Sequence, residues 1–144
     1  MRSVYISEPG HRSLARGYLT QFYTSIDGIM SCQVCRKEMS FKIAGGYYFE
    51  AVQFVNDAHR DLRENRLALC PTCAAKYKHA RGTSFADLRE DLLTQDIGTS
   101  GSITVDVVLA DEPAAVRFVG KHAIDLQAAL DAAEGMPVEN DEQG

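Results

Sequence analysis

Four cysteines in two close pairs, Cys32-Gln33-Val34-Cys35 and Cys70-Pro71-Thr72-Cys73, constrain this chain more than any other feature. Two intervening residues let a tight turn aim both sulfurs at one point, and two such turns complete a tetrahedral S4 site of the kind Zn2+ favours in structural positions. The four are all the cysteines of the chain, so none is left over. Two other readings compete: independent redox or core pairs, which would not come in duplicate, and iron, because S4 geometry suits either metal. A closed S4 site has no open position for water, so it is structural rather than catalytic, and it stabilises a region whose apolar core is small. Disulfides are disfavoured. The start, Met1-Arg2-Ser3-Val4-Tyr5, lacks the apolar stretch of a secretory signal, and no segment approaches the roughly 18 apolar residues of a spanning helix. The expectation is a cytoplasmic protein with no membrane partner, whose thiols stay reduced.

With 144 residues and a 45% hydrophobic fraction, the chain has the size and composition of one folded domain with appendages. The net charge of −5 hides an asymmetry: residues 1–81 carry 12 Lys and Arg against 7 Asp and Glu, and residues 82–144 carry 3 against 13. The basic charge therefore travels with the cysteines. It is either a nucleic-acid footprint or an ordinary solvated face.

Local patterns divide the chain further. Residues 1–11 read as a flexible leader around Pro9-Gly10. A helix is expected at 12–24, with Leu14, Tyr18, Leu19 and Phe22 at helical spacing, in a 12–29 segment packing on the core. Inside the cysteine block, 30–81, Gly45-Gly46 separates two segments. The aromatic and β-branched run 47–55 suits one strand, and 56–64 a loop. Helix formers follow Pro71 as far as Gly82. Ser84 with Asp87 resembles a capped helix start before Leu88, Leu92 and Leu93. In the 82–133 extension a strand at 103–110 alternates Ile103, Val105, Val107 and Leu109, Asp111-Glu112-Pro113 turns, and 115–119 returns. A last helix, 121–133, presents Ile124, Leu126 and Leu130, before an acidic tail, 134–144, expected to be disordered. The fold class is α+β. A knuckle, a β-hairpin and a second knuckle on the first turn of a helix describe a treble-clef zinc core, with flanking helices and a C-terminal hairpin and helix.

This pattern resembles HNH-type nuclease domains, in which a C-x2-C is followed by a strand ending in a histidine pair, then an asparagine and a second C-x2-C with histidine directly after it. Asn65 stands five residues before Cys70, as the pattern asks, and Leu67-Ala68-Leu69-Cys70-Pro71-Thr72-Cys73 looks like the second knuckle. Val52 and Gln53 hold the positions of the histidine pair, and Ala74 that of the last histidine. None of them can activate water or hold a catalytic cation, so the resemblance implies a retained scaffold without a reaction centre. Over CQVC, YYFEAV and LALCPTCAAKYK the chain is similar to degenerate domains of this type at the C-terminal ends of large bacterial proteins, some with sacsin-like ATPase or defence-type modules. That likeness extends into Val116-Arg117-Phe118-Val119-Gly120-Lys121-His122 and the last helix. It implies a fragment or standalone relative of such a tail, with a large ATPase-type protein or another copy of itself as partner.

In HNH-like domains the hairpin and helix lie against nucleic acid, which makes Arg60, Arg63, Arg66, Lys76, Lys78 and Arg81 candidate phosphate contacts with DNA or RNA. A solvated helix face is the plainer alternative. Tyr47, Tyr48 and Phe49 can stack on bases or serve as core. His59 reads as a loop histidine and His79 as surface. His11 and His122 have no evident partner. Three functions stay open: a non-catalytic zinc module contacting nucleic acid, a protein-interaction or assembly module, and, behind both, a surviving metal-dependent nuclease.

Overall fold

The computed structural model describes residues 14–56, 62–99 and 101–135, with side chains as far as 131. The leader, His11, His59, Arg60 and the acidic tail from 136 lie outside the described residues. The fold is mixed α+β, with four helices and three two-stranded antiparallel sheets among the described residues. No described helix is long and apolar enough to cross a membrane.

Helix α1 covers 14–23. Its buried stripe is Ala15, Tyr18, Leu19 and Tyr23, while Leu14 is 57% exposed. The helix is therefore rotated by about one position from the face that Leu14 and Phe22 suggest. Tyr23 is the reason, because it carries a hydrogen-bonding hydroxyl into the core. The chain then reverses at Gly28 (φ 82) and enters the first cysteine pair.

The aromatic run 47–55 is divided between two sheets. Strand β1 (Lys42–Ile43) pairs with β2 (Gly46–Tyr47) around Ala44 and Gly45, both at positive φ, the backbone of a tight primed hairpin turn. Strand β3 (Glu50–Gln53) changes partner and pairs with β4 (Arg66–Leu69), from Glu50 opposite Leu69 to Gln53 opposite Arg66. Beyond β3, Asn65 closes the hairpin: Val55 N–H donates to its Oδ1 at 3.1 Å, and its Nδ2 donates to Val55 O at 2.6 Å. Arg63–Asn65 forms one 3-10 turn leading into β4.

Helix α2 (Pro71–His79) starts with proline in its first turn, where a missing N–H is harmless. Helix α3 (Phe85–Thr94) is capped by Ser84, whose Oγ accepts from Asp87 N–H at 3.1 Å. Strands β5 (Ser102–Leu109) and β6 (Glu112–Val119) form eight antiparallel pairs with Val105, Val107, Leu109, Val116 and Phe118 buried. The turn falls at Ala110-Asp111 (φ 51 and 64) rather than at 111–113, and Pro113 lies within β6 opposite Val108. Holding two such residues in the left-handed region costs on the order of 1–2 kcal/mol each. The hairpin tip has tertiary support. Ala110 N–H donates to Ala80 O at 2.9 Å, Gly82 N–H to Val108 O at 2.8 Å, and Val108 N–H to Thr83 Oγ1 at 2.9 Å.

Helix α4 (Gly120–Gly135) buries His122, Ala123, Leu126 and Leu130 and leaves Ile124 at the surface. His122 is fully buried and has partners far away in sequence. Its Nε2 lies 2.9 Å from Glu64 O, which can only accept, so Nε2 carries the proton. Its Nδ1 then accepts from Tyr23 O–H at 2.6 Å, and Tyr23 Oη accepts from Val119 N–H at 3.2 Å. This relay ties α1, α4, β6 and the 3-10 turn together. Burial lowers the His122 pKa to about 4, against the opposing pull of the Glu64 carbonyl.

Candidate metal centre and the cleft beside it

The four cysteines, 35 residues apart at the widest internal gap between Cys35 and Cys70, converge, with all four Sγ atoms within 4.8 Å of one another. Cys35 Sγ and Cys70 Sγ are 4.0 Å apart. A tetrahedral ion with Zn–S bonds of about 2.3 Å requires sulfur–sulfur edges of about 3.8 Å, so the donor set fits one such ion. Cys32, Cys70 and Cys73 are buried and Cys35 is half-buried.

Each pair is shaped by its own backbone. In the first, Arg36 takes a left-handed conformation (φ 64), so that its N–H reaches Cys32 O at 3.0 Å and Cys32 N–H reaches Lys37 O at 3.0 Å. Val34 N–H points at Cys32 Sγ at 3.4 Å. In the second, Cys70 directly follows β4 and is the N-cap of α2, with its Sγ accepting from Cys73 N–H at 3.5 Å. The N-cap position sets that sulfur against the first backbone N–H groups of the helix.

The electrostatics of the cluster point the same way. A hydrogen bond from Cys73, helped by backbone N–H groups against burial, brings Cys32 down to about 5. The same contact, with burial, pushes Cys73 up, and burial raises Cys35. A thiolate at Cys32 thus forms readily and works against ionisation of Cys73 and Cys35. A divalent cation at the centre removes that conflict, because it stabilises all four as thiolates.

Gln33, between the first two cysteines, does work that spacing alone cannot reveal. Its backbone N–H donates to Ala68 O at 3.0 Å and its carbonyl accepts from Arg117 N–H at 2.8 Å. Its side chain repeats both links: Oε1 accepts from Ala68 N–H at 2.7 Å, and Nε2 donates to Arg117 O at 2.9 Å. One residue of the knuckle therefore stands as a rung between β4 and β6.

Beside the metal centre a cleft of about 460 Å3 opens between β3, β4 and α2, with Glu50, Gln53, Arg66, Lys78, Arg81 and Phe85 on its walls. Lys78 Nζ donates to Glu50 at 2.8 Å. Arg66 donates to Ala51 O at 3.3 Å. Arg81 lies 3.8 Å over the Phe85 ring and donates through Nε to Thr83 O and through Nη1 to Tyr77 O. Lys76 is exposed on α2. Arg63 is exposed elsewhere, over the Tyr18 ring at 4.7 Å and paired with Glu64. Of the six candidate cations, three meet in one cleft, two stand apart from its walls, and Arg60 is outside the described residues. Val52 and Ala74 are buried, Gln53 is half-buried, and His79 is exposed. Phe49 is core, with Arg16 at 4.2 Å over its ring.

Comparison with protein-family models, curated proteins and solved structures gave no match.

Proposed function

We propose that this chain is a non-catalytic binding module built around one structural zinc ion, with a degenerate HNH-like treble clef, and that the cleft beside the metal contacts nucleic acid. The observation that carries the metal reading is the convergence of two C-x2-C turns on one point, with sulfurs within 4.8 Å. The order of elements supports the fold reading: a knuckle, the β3–β4 hairpin, and a second knuckle on the first turn of α2. Asn65, which matches the HNH pattern, has a structural use here, since both ends of its side-chain amide clamp Val55. The positions expected to carry imidazoles are Val52, Gln53 and Ala74, which offer neither a general base nor a ligand.

The nucleic-acid reading rests on Arg66, Lys78 and Arg81 sharing one cleft with a single carboxylate, Glu50, on its walls. Phosphates suit such a site, because each neutralised phosphate releases counterions. Elemental analysis with a thiol count tests the metal: one zinc per chain and four protected cysteines are expected, and iron would correct the ion. Binding to labelled DNA and RNA at low salt tests the partner. Lys76→Glu with Lys78→Glu should weaken it and flatten the salt dependence by about 0.7–0.9 per lost phosphate contact. No binding at low salt removes the nucleic-acid reading, and Mg2+- or Mn2+-dependent cleavage in the same incubations would restore the nuclease.

A further inference from the structure

The β1–β2 ribbon carries an aromatic surface that the metal centre does not use. Phe41 is 48% exposed and Ile43 59% exposed. The Phe41 and Tyr48 rings are stacked, with centroids 5.1 Å apart and planes within 7°. Tyr48 N–H donates to Phe41 O at 2.9 Å, which fixes the two rings across the ribbon. Strand alternation puts Phe41, Ile43 and Tyr48 on one face and Lys42 and Tyr47 on the other. Tyr47 packs against the core, whereas Phe41, Ile43 and Tyr48 belong neither to the core nor to the residues packed on it.

We infer that Phe41, Ile43 and Tyr48 form a stacking platform for the unpaired bases of a single-stranded nucleic acid. Charge complementarity selects this occupant. The residues leading into the ribbon include Arg36 and Lys37, both exposed, while Lys42 lies on the opposite face over the Tyr47 ring at 4.7 Å; the one acid of the segment, Glu38, accepts from the Tyr47 hydroxyl and so sits with Lys42, away from the platform. Clustered lysine is depleted at the centre of protein–protein interfaces but is what a phosphate backbone requires. Aromatic faces backed by cations are how proteins hold single strands, whereas bases inside a duplex have no free faces to offer. The platform is continuous with the proposed cleft. Tyr48 precedes Glu50 by two residues, about 7 Å of extended chain, and Arg16 lies over the Phe49 ring between them. A strand seated on the ribbon can therefore run on toward Lys78 and Arg81. The inference rests on the nucleic-acid reading and adds to it a preference for single strands.

The test uses the metal-loaded chain with a fluorescein-labelled oligo-dT of about 15 nucleotides, within the site sizes of single-strand binders, and a duplex of the same length. The expected result is tighter binding of oligo-dT. Phe41→Ala should weaken it about 5- to 150-fold, the range of one lost base stack, with an unchanged salt slope because no charge is removed. Phe41→Trp should keep the affinity. Because the chain has no tryptophan, its emission reports directly on stacking and should be quenched at saturation. Metal content equal to that of the parent protein checks that the variants fold.

Parental affinity in both Phe41→Ala and Tyr48→Ala, with Phe41→Trp emission unmoved, overturns the platform. It leaves the cleft reading standing if Lys76→Glu with Lys78→Glu still weakens binding. An equal loss for the duplex also overturns the single-strand preference. A parent protein that binds neither probe at low salt removes both readings together.

Discussion

The β3–β4 and β5–β6 hairpins solve the same problem in different ways. β3–β4 has four residue pairs, and in β4 Leu67, Ala68 and Leu69 are all buried, so the strand is covered on both faces by other parts of the chain. β5–β6 has eight pairs, and β5 alternates buried and exposed positions from Thr104 onward, so one face meets the core and the other meets water. A ladder of four pairs is too short to hold its own geometry in water. It depends on Cys70 at its end, on Gln33 along its edge, and on Asn65 before it. The longer hairpin draws on its own apolar face. The difference teaches where a bound metal would matter most: at the short ladder that ends beside Cys70.

The largest effect that separates the two regions should come from removing the metal or replacing Cys70 with Ser. Structural zinc in small domains contributes about 10–16 kcal/mol of apparent binding energy, and a loss of several kcal/mol is expected here. Hydrogen exchange should show amides 66–69 losing protection while those paired within β5–β6 keep most of theirs. Simultaneous loss in both hairpins, or no change on chelation, would break the comparison.

A smaller effect is expected for Gln33→Ala, which strands Ala68 N–H and Arg117 O. At about 1–3 kcal/mol for the buried Ala68 N–H and less for the part-buried Arg117 carbonyl, urea unfolding should show a loss of about 1–4 kcal/mol. A change below about 0.5 kcal/mol would mean that the hairpins are joined by other contacts.

The smallest effect is pH-dependent. His122 stays neutral in the folded chain down to about 4, whereas in the unfolded chain it takes up its proton near 6.5. Its folded pKa is the depressed one, so acid favours the unfolded state, and stability falls as pH drops from about 6.5 toward 4. Between pH 7 and pH 5 the loss is about 2 kcal/mol. Metal release in acid affects parent and variant alike, so the quantity to read is the difference between the parent and His122→Gln. Identical pH profiles would remove this account.

How much of this was legible follows from how local each cause is. The cysteine spacing, the Ser84 cap and the alternation of β5 are written in consecutive residues, and the structure matches them. The division of 47–55 was not, because nothing in an aromatic, β-branched run says that the strand changes partner between Tyr47 and Glu50. Proline chemistry pointed the second turn toward Pro113, but contacts to Ala80 and Thr83 fix it at Ala110-Asp111 instead. His122 looked partnerless because Tyr23 and Glu64 lie 99 and 58 residues away. Nothing in the C-x2-C spacing singles out Gln33, because its partners, Ala68 and Arg117, are also remote in sequence. Within the site, the convergence of the four cysteines could be read from spacing. The shape of the cleft could not, since Arg81 is placed by stacking on Phe85 and not by any motif.

The contacts of the β5–β6 tip have a mechanical consequence for α2. At one terminus the helix carries Cys70 and Cys73; just past the other, Ala80 and Gly82 are bonded to Ala110 and Val108. A nine-residue rod pinned at both ends can neither slide nor swivel. Lys78 and Arg81 therefore stand on a fixed rail, and a partner that entered between them and β3 would meet a mould already set. Discrimination would then come from fit at first encounter, with little ordering cost to repay.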